Sequence, residues 1–274
     1  MLKVFPVRSW LAGQRYNWRI HRAKQLVLRR DFGAPVKLQR TDWEESITDP
    51  SGFYLRCFQY FHRSLDTESR MHRAYFAKAH RGFGEEAFHT MWSLLVAEFR
   101  PIKFLEIGVY RGQVLSLVSL LQRRHGITGS VCGISPFLPV GDSVSRYRGG
   151  IDYQQDTLQN FRHFNLPAPI LCKAYSTDPE ARRFMASETW DLIYIDGNHD
   201  YPVVSSDWQA GSAHVKSGGL IVLDDSGLTT SYQAPAFATR GHPGPSRVAL
   251  EIDRAAFREV LQVGHNRVFQ KIAA

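Results

Sequence analysis

Apolar residues along this chain cluster in two ways. Short apolar-rich runs recur at 102–107, 130–134, 170–174, 192–195 and 220–223. Runs of that kind suit strands buried on both faces of a parallel sheet. Between them, apolar residues return at helical spacing over 85–99, where Phe88, Met91, Trp92, Leu95 and Phe99 share one side, and again over 113–121 and 203–215. Lys216-Ser217-Gly218-Gly219 is expected to stop the last of these helices as a turn. Strand, helix, strand at this spacing predicts a βαβ unit over 191–226 with a right-handed crossover, and hence an α/β fold. A further helix is expected over 248–257. Residues 257–263 and 267–272, joined by Gly264-His265-Asn266, read as a closing hairpin.

The first part of the chain patterns differently. Residues 9–30 read as an amphipathic helix, with Tyr16, Ile20, Ala23 and Val27 on one face and Arg15, Arg22 and Arg29 on another. A break comes next at 31–35. The stretch 53–62 is rich in aromatics (Phe53, Tyr54, Phe58, Tyr60, Phe61) and is expected in a core or an interface, which favours a homo-oligomer. The division expected is a helical, basic N-terminal extension, 1–84, and a sheet domain, 85–274.

Charge sharpens that division. The formal net charge is +8, and residues 1–30 hold eight Lys or Arg and no acid, so residues 31–274 sum to zero. A basic nucleic-acid groove across the sheet domain thus has no support in composition. For the helix, plain packing with solvated arginines ranks first. Peripheral contact with an anionic membrane, helped by Trp10 and Trp18, ranks second, and a mitochondrial leader third. No apolar run reaches the ~20 residues of a membrane span. The three scattered cysteines, Cys57, Cys132 and Cys172, fit a reducing compartment such as the cytoplasm, with neither a disulfide framework nor a zinc cluster.

The chemistry sits at the ends of the apolar runs. Two adjacent strands end on acid, one at Asp196 and the next at Asp224-Asp225. Parallel neighbours end on the same sheet edge, where open α/β sheets bind ligands. Three carboxylates gathered there call for a hard divalent cation such as magnesium. His199 lies in the same loop as Asp196. Each residue alone has a blander reading: Asp caps turns, and a loop histidine makes structural hydrogen bonds. Upstream, Glu106-x-Gly108-x-x-x-Gly112 forms a glycine-bearing turn between strand and helix, carrying Tyr110 and Arg111. It lacks the G-x-G-x-x-G of dinucleotide folds, and its acid suits a cationic ligand.

Glu106-x-Gly108-x-x-x-Gly112 resembles the first motif of class I S-adenosylmethionine-dependent methyltransferases. The run Asp196-Gly-Asn-His199-Asp-Tyr201, with Gly218-Gly219 and Asp224-Asp225, resembles the metal-dependent macrocin- and mycinamicin-type sugar O-methyltransferases, and is also similar to cephalosporin hydroxylase-type proteins. The resemblance implies a Rossmann-like, doubly wound, mostly parallel seven-stranded sheet closed by an antiparallel hairpin. It implies S-adenosylmethionine on Glu106, Gly108, Tyr110, Arg111, Gly112 and Asp196, and a divalent cation such as Mg2+ on Asp196, Asp224 and Asp225. His199 becomes the base. Two positions depart from the pattern yet stay among the expected cofactor-binding residues: Ser135, which ends the second strand where an acid usually meets the ribose, can still hydrogen-bond a ribose hydroxyl, and Tyr175-Ser176, directly after the third, offers a tyrosine that can stack on adenine.

The expected activity is O-methyl transfer to a hydroxyl of a sugar, glycan or secondary metabolite. The alternatives are a cephalosporin hydroxylase-like protein and a non-catalytic ligand-binding member of the fold. Residues 141–153 and 228–246 are the expected lids. Their arginines (Arg146, Arg148, Arg240, Arg247) would suit an acidic or nucleotide-linked acceptor.

Overall fold

Alternation along each strand sends neighbouring side chains to opposite faces of one sheet. Phe104, Leu192, Tyr194, Leu220 and Val222 enter one buried cluster, while Leu105, Ile107, Ile193, Ile195, Ile221 and Leu223 enter the other. The computed structural model describes residues 7–32, 36–142, 144–145 and 147–272. Its strands are β1 (Lys103–Ile107), β2 (Ser130–Ser135), β3 (Ile170–Lys173), β4 (Trp190–Ile195), β5 (Val215–Leu223), β6 (Phe257–Val263) and β7 (Asn266–Lys271). They form a seven-stranded sheet in the order β3-β2-β1-β4-β5-β7-β6. All neighbours are parallel except β7, which is antiparallel to both β5 and β6. The expected doubly wound sheet with its closing hairpin is therefore the fold observed.

The helices are α1 (Val7–Leu28), α2 (Trp43–Thr48), α3 (Pro50–Arg63), α4 (Thr67–Ala77), α5 (Glu86–Phe99), α6 (Gln113–Arg124), α7 (Tyr153–His163), α8 (Pro179–Ala186), α9 (Tyr201–His214) and α10 (Pro243–Glu251). The cluster under α3, α5 and α6 holds the aromatic stretch: Phe53, Tyr54 and Phe58 are fully buried beside Met91, Trp92 and Phe104. Burying each such side chain is worth about 1.5–3 kcal/mol. These aromatics are covered within the chain, so they offer no face to a partner subunit. Along α1, Val27 is buried and Gln59 Nε2 donates to the carbonyls of Val27 and Arg30, satisfying the helix's last turn. Tyr16, Trp18 and Leu26 are exposed, so the expected apolar face packs only at its C-terminal end.

Two expectations are corrected. Lys216-Ser217-Gly218-Gly219 is not a turn; α9 runs directly into β5, whose Val215 already pairs with Trp190, with a register irregularity before Leu192. The helix expected over 248–257 instead spans Pro243–Glu251, because Pro243 fits the first helical position and His242 serves as its N-cap. The second lid is accordingly shorter than expected. The last three positions of the break at 31–35, the side chains of Trp10 and Arg15, and Arg146 lie outside the described residues. No helix of the described residues is long and apolar enough to cross a membrane.

Candidate active site

The turn after β1 is built on contact. Gly108 has φ +105°, and a Cβ there would lie 2.0 Å from the carbonyl oxygen of Asp196. The end of β1 thus touches the end of β4, and only glycine permits both the conformation and the approach. Gly112, at φ +75°, is the N-cap of α6. Glu106 is buried beneath this turn and accepts the backbone N–H of Leu115 at 3.0 Å, capping α6 from the preceding strand. Burial pushes its carboxyl up to about 8. Arg111 forms a two-pronged ion pair with Asp156 of α7, at 2.6 and 2.9 Å, so it ties the turn after β1 to α7. The Tyr110 ring lies 5.2 Å from that of Tyr153 and 4.8 Å from Phe83, making an aromatic mouth.

From this turn two cavities open. The smaller, about 210 Å³, lies over the ends of β1, β2 and β3 and is lined by Gly108, Ser135, Tyr175 and Ser176. Its polar groups are locally engaged. Ser135 Oγ accepts the N–H of Phe137 at 3.3 Å, and Ser176 Oγ donates to Asp207 at 3.0 Å. Asp207 is itself buried, which raises it to about 6 despite the opposing effects of Ser176 and Arg182. Tyr175 is about half exposed. No carboxylate lines this cavity among the described residues.

The larger cavity, about 460 Å³, contains Glu85, Glu106, Asp196, His199, Asp224, Asp225, His242 and His265. It brings together every acid expected at the ends of β4 and β5. Asp196 faces this cavity away from bulk water; its burial and the neighbouring Asp224 hold it well above the usual carboxylate range, and the two carboxyls share a hydrogen bond. Burial acts to raise Asp224 too, but His265 beside it prevails and holds it low. Asp225 adopts φ +51°, a left-handed conformation that Asp tolerates better than most residues.

His199 sits between two acids. Its Nε2 is 2.8 Å from Asp225 Oδ2 and its Nδ1 is 2.5 Å from Asp142 Oδ2. Burial opposes its charge, but Asp225 and Asp142 together raise it to about 9. Asp142 also accepts the backbone N–H groups of His199, Val144 and Ser145, at 2.7, 3.0 and 2.7 Å, which overcomes its own burial and keeps it ionised. One carboxylate therefore shapes the loop and orients the imidazole.

Sequence reasoning missed Asp142, which falls within the first lid. It also missed His265, for which the sequence pattern indicates only a place in a hairpin turn. His265 Nε2 is 3.3 Å from Asp224 Oδ1 and 3.6 Å from Asp225 Oδ1. His242 Nε2 lies 3.8 Å from Asp225 Oδ2. The described lid arginines do not meet either cavity: Arg148 donates to Ala79, Arg240 to Leu228, and Arg247 pairs with Glu251.

The donor set fits a divalent cation. Asp224 Oδ1 is buried and has no hydrogen-bond partner among the described residues. Donor atoms of Asp224, Asp225 and His265 all lie within 4.8 Å of one another, as do those of His199, Asp225 and His242. Asp196, the third carboxylate expected, belongs to neither set. The glycine turn likewise fits a ligand that approaches the backbone closely at Gly108.

Comparison with known proteins identifies the frame around these residues. Residues 105–226 match the methyltransferase domain family. The matched stretch spans a little under half of the chain. It carries Glu106, Gly108, Gly112, Asp142, Asp196, His199, Asp224 and Asp225; His242 and His265 lie beyond it. The uncharacterized protein R132 of Acanthamoeba polyphaga mimivirus is 25% identical over 205 residues, spanning 70% of this chain and 82% of its own. Among solved structures, a protein assigned as a caffeoyl-CoA O-methyltransferase from Staphylococcus aureus aligns with TM-score 0.55 and 12% identity, over 78% of this chain and 95% of its own. The methyltransferase PaMTH1 of Podospora anserina, solved with S-adenosylhomocysteine, aligns with TM-score 0.54 and 13% identity, over 78% and 93%. An O-methyltransferase of Bacillus cereus, also in complex with S-adenosylhomocysteine, aligns with TM-score 0.51 and 14% identity, over 86% and 100%. At these identities the likeness establishes the class I methyltransferase fold.

Proposed function

We propose that this chain is an S-adenosylmethionine-dependent O-methyltransferase, assisted by a divalent cation, acting on a hydroxyl of a sugar, glycan or secondary metabolite. The observation that carries the reading is the Asp196–His199–Asp224–Asp225 set sharing one cavity with the Gly108 turn. The P. anserina and B. cereus structures, whose folds this chain shares, hold S-adenosylhomocysteine. In this reading the cofactor, when bound, supplies the methyl group and the cation supplies Lewis acidity at the acceptor oxygen.

The chain's own residues supply the rest. His199 Nε2 takes the hydroxyl proton while Asp142 holds Nδ1 and stabilises the imidazolium, the division of labour of an Asp–His pair. Any ligand that occupies the Asp225 carboxylate removes the first of the two forces that keep His199 protonated. The Gly108–Gly112 turn and the buried Glu106 fix one reactant against the other, so positioning carries much of the rate. Asp224, which His265 keeps ionised, makes the cavity favour a cationic ligand.

The test is transfer of labelled methyl from S-adenosylmethionine to a panel of sugar and phenolic hydroxyls, with and without chelator. Product formation abolished by chelator and by Asp224→Asn is expected. Turnover indifferent to both would end the metal assignment. The alternative readings, a cephalosporin hydroxylase-like protein or a non-catalytic ligand-binding member, draw support from the smaller cavity, which has no carboxylate for a ribose. Transfer to no acceptor, together with retained cofactor binding, would favour them.

Peripheral contact of α1 with an anionic membrane, on its cytoplasmic side, is supported by exposed Trp18 and Leu26 set among Arg19, Arg22 and Arg29. Failure of the full chain to sediment with anionic vesicles at low salt would remove it.

A further inference from the structure

We propose that His265 is a nitrogen ligand to the cation held by Asp224 and Asp225, so that the site takes a transition-series divalent ion in preference to magnesium. The proposal rests on the metal reading above. It changes both the ligand set and the ion, and it draws on a residue outside the stretch that matches the methyltransferase family.

His265 is held in place from every side. It forms, with Gly264, the two-residue turn between β6 and β7. Gly264 has φ +61°, and a Cβ there would meet ring atoms of Tyr54 and Phe88 at 3.0 and 3.1 Å, so the turn is seated on an aromatic wall. The His265 carbonyl accepts the N–H of Ser226 at 2.9 Å, which pins the turn to the residue after Asp225. The Phe88 ring packs edge-on against the imidazole at 4.8 Å, and His265 is 6% exposed.

The second ring nitrogen fixes which atom faces the acids. His265 Nδ1 lies 3.1 Å from both the carbonyl oxygen and the Oγ1 of Thr239. A carbonyl can only accept, so Nδ1 carries the proton of that bond. A cation that took the place of the second ring proton would then meet the Nε2 lone pair on the side of Asp224 and Asp225. A backbone carbonyl on the far nitrogen is the usual partner that orients a metal-bound histidine. The buried Asp224 Oδ1, without a hydrogen-bond partner among the described residues, is the oxygen that Nε2 approaches at 3.3 Å. Magnesium favours oxygen ligands, whereas imidazole suits later divalent ions. Asp196 then serves as the hydrogen-bonded neighbour of Asp224 and not as the third ligand.

The test uses the full chain, stripped with chelator and titrated by calorimetry with cobalt(II) and with magnesium(II). Wild type is expected to bind cobalt more tightly than magnesium, and His265→Gln to lose about 10- to 100-fold in cobalt affinity with magnesium affinity unchanged. Pulsed electron paramagnetic resonance of the copper(II)-loaded chain gives a second readout that does not need that variant to fold. Imidazole nitrogen modulation should appear in wild type and persist in both His199→Gln and His242→Gln. Loss of the modulation in either variant would move the ligand to the other donor set and overturn the proposal. Magnesium binding with no nitrogen modulation would overturn it while leaving the metal reading intact. Binding of no divalent ion would remove both.

Discussion

On the β2–β3 side of the Gly108 turn, the strand-end hydroxyls are already committed to their own surroundings. Ser135 holds the turn at Phe137 and Ser176 holds Asp207. On the β4–β5 side the balance is reversed. Asp196, Asp224 and Asp225 crowd against His199 and His265, and one carboxylate oxygen has no hydrogen-bond partner among the described residues. The first region resembles ordinary loop structure that a ligand can borrow. The second holds more charge than its own folding uses, and that surplus points to the chemistry. Both regions meet at Gly108, where β1 and β4 are in van der Waals contact.

The largest expected effect is on the charged side. His199→Ala should lower kcat by about 10²- to 10⁴-fold, the usual contribution of a positioned general base. Comparable turnover in the variant would leave the acid side with a merely structural histidine. Next is the junction itself. Gly108→Ala forces a left-handed backbone on alanine, worth about 1–3 kcal/mol, and drives its Cβ into the Asp196 carbonyl. Chemical denaturation should show a loss at or above that range; a neutral result would mean the two regions are not in contact.

A smaller effect separates the regions by pH. Folding raises Glu106 from 4.5 to about 8. A carboxyl raised in the folded state contributes stability that is full below its unfolded value and is lost as pH rises through its folded value. Between pH 6 and 7 the wild type should lose up to about 1.4 kcal/mol from this group, whereas Glu106→Gln, which keeps an acceptor for Leu115, should lose nothing from it. Equal pH slopes would mean Glu106 is not buried as an acid. An effect of similar size lies on the neutral side. Ser135→Asp should strengthen cofactor binding by about 1–2 kcal/mol, the order of a charged hydrogen bond, measured by calorimetry. No gain would show that the ribose is held elsewhere.

Much of this geometry is legible in the chain because parallel, doubly buried strands write themselves as apolar runs, and an acid at the end of such a run stands out. Asp196, His199, Asp224 and Asp225 can be placed on one sheet edge from two adjacent strands alone. The differences between pattern and structure have physical causes. Gly218 and Gly219 signal a turn locally, yet Val215 is drawn into pairing with Trp190. Pro243 and Pro245 look like loop residues, yet proline is at ease in a first helical turn. Asp142 and His265 reach the site only through tertiary structure. Because β7 lies antiparallel beside β5, with Arg267 opposite Leu223, its hairpin turn must fall at the carboxyl end of β5. That consequence of the closing hairpin is enough to bring His265 to the acids. Nothing comparable in the local pattern announces Asp142, whose role depends on where the loop after β2 folds back.

The most direct test of the account is a calorimetric titration of the full chain with S-adenosylhomocysteine, with a divalent cation and then with chelator. Saturable micromolar binding is the result predicted, since the Gly108 turn and the acid cavity are intact. Absence of binding under both conditions would contradict methyl transfer, and would leave the Asp224–Asp225–His265 cluster as a cation site in search of another chemistry.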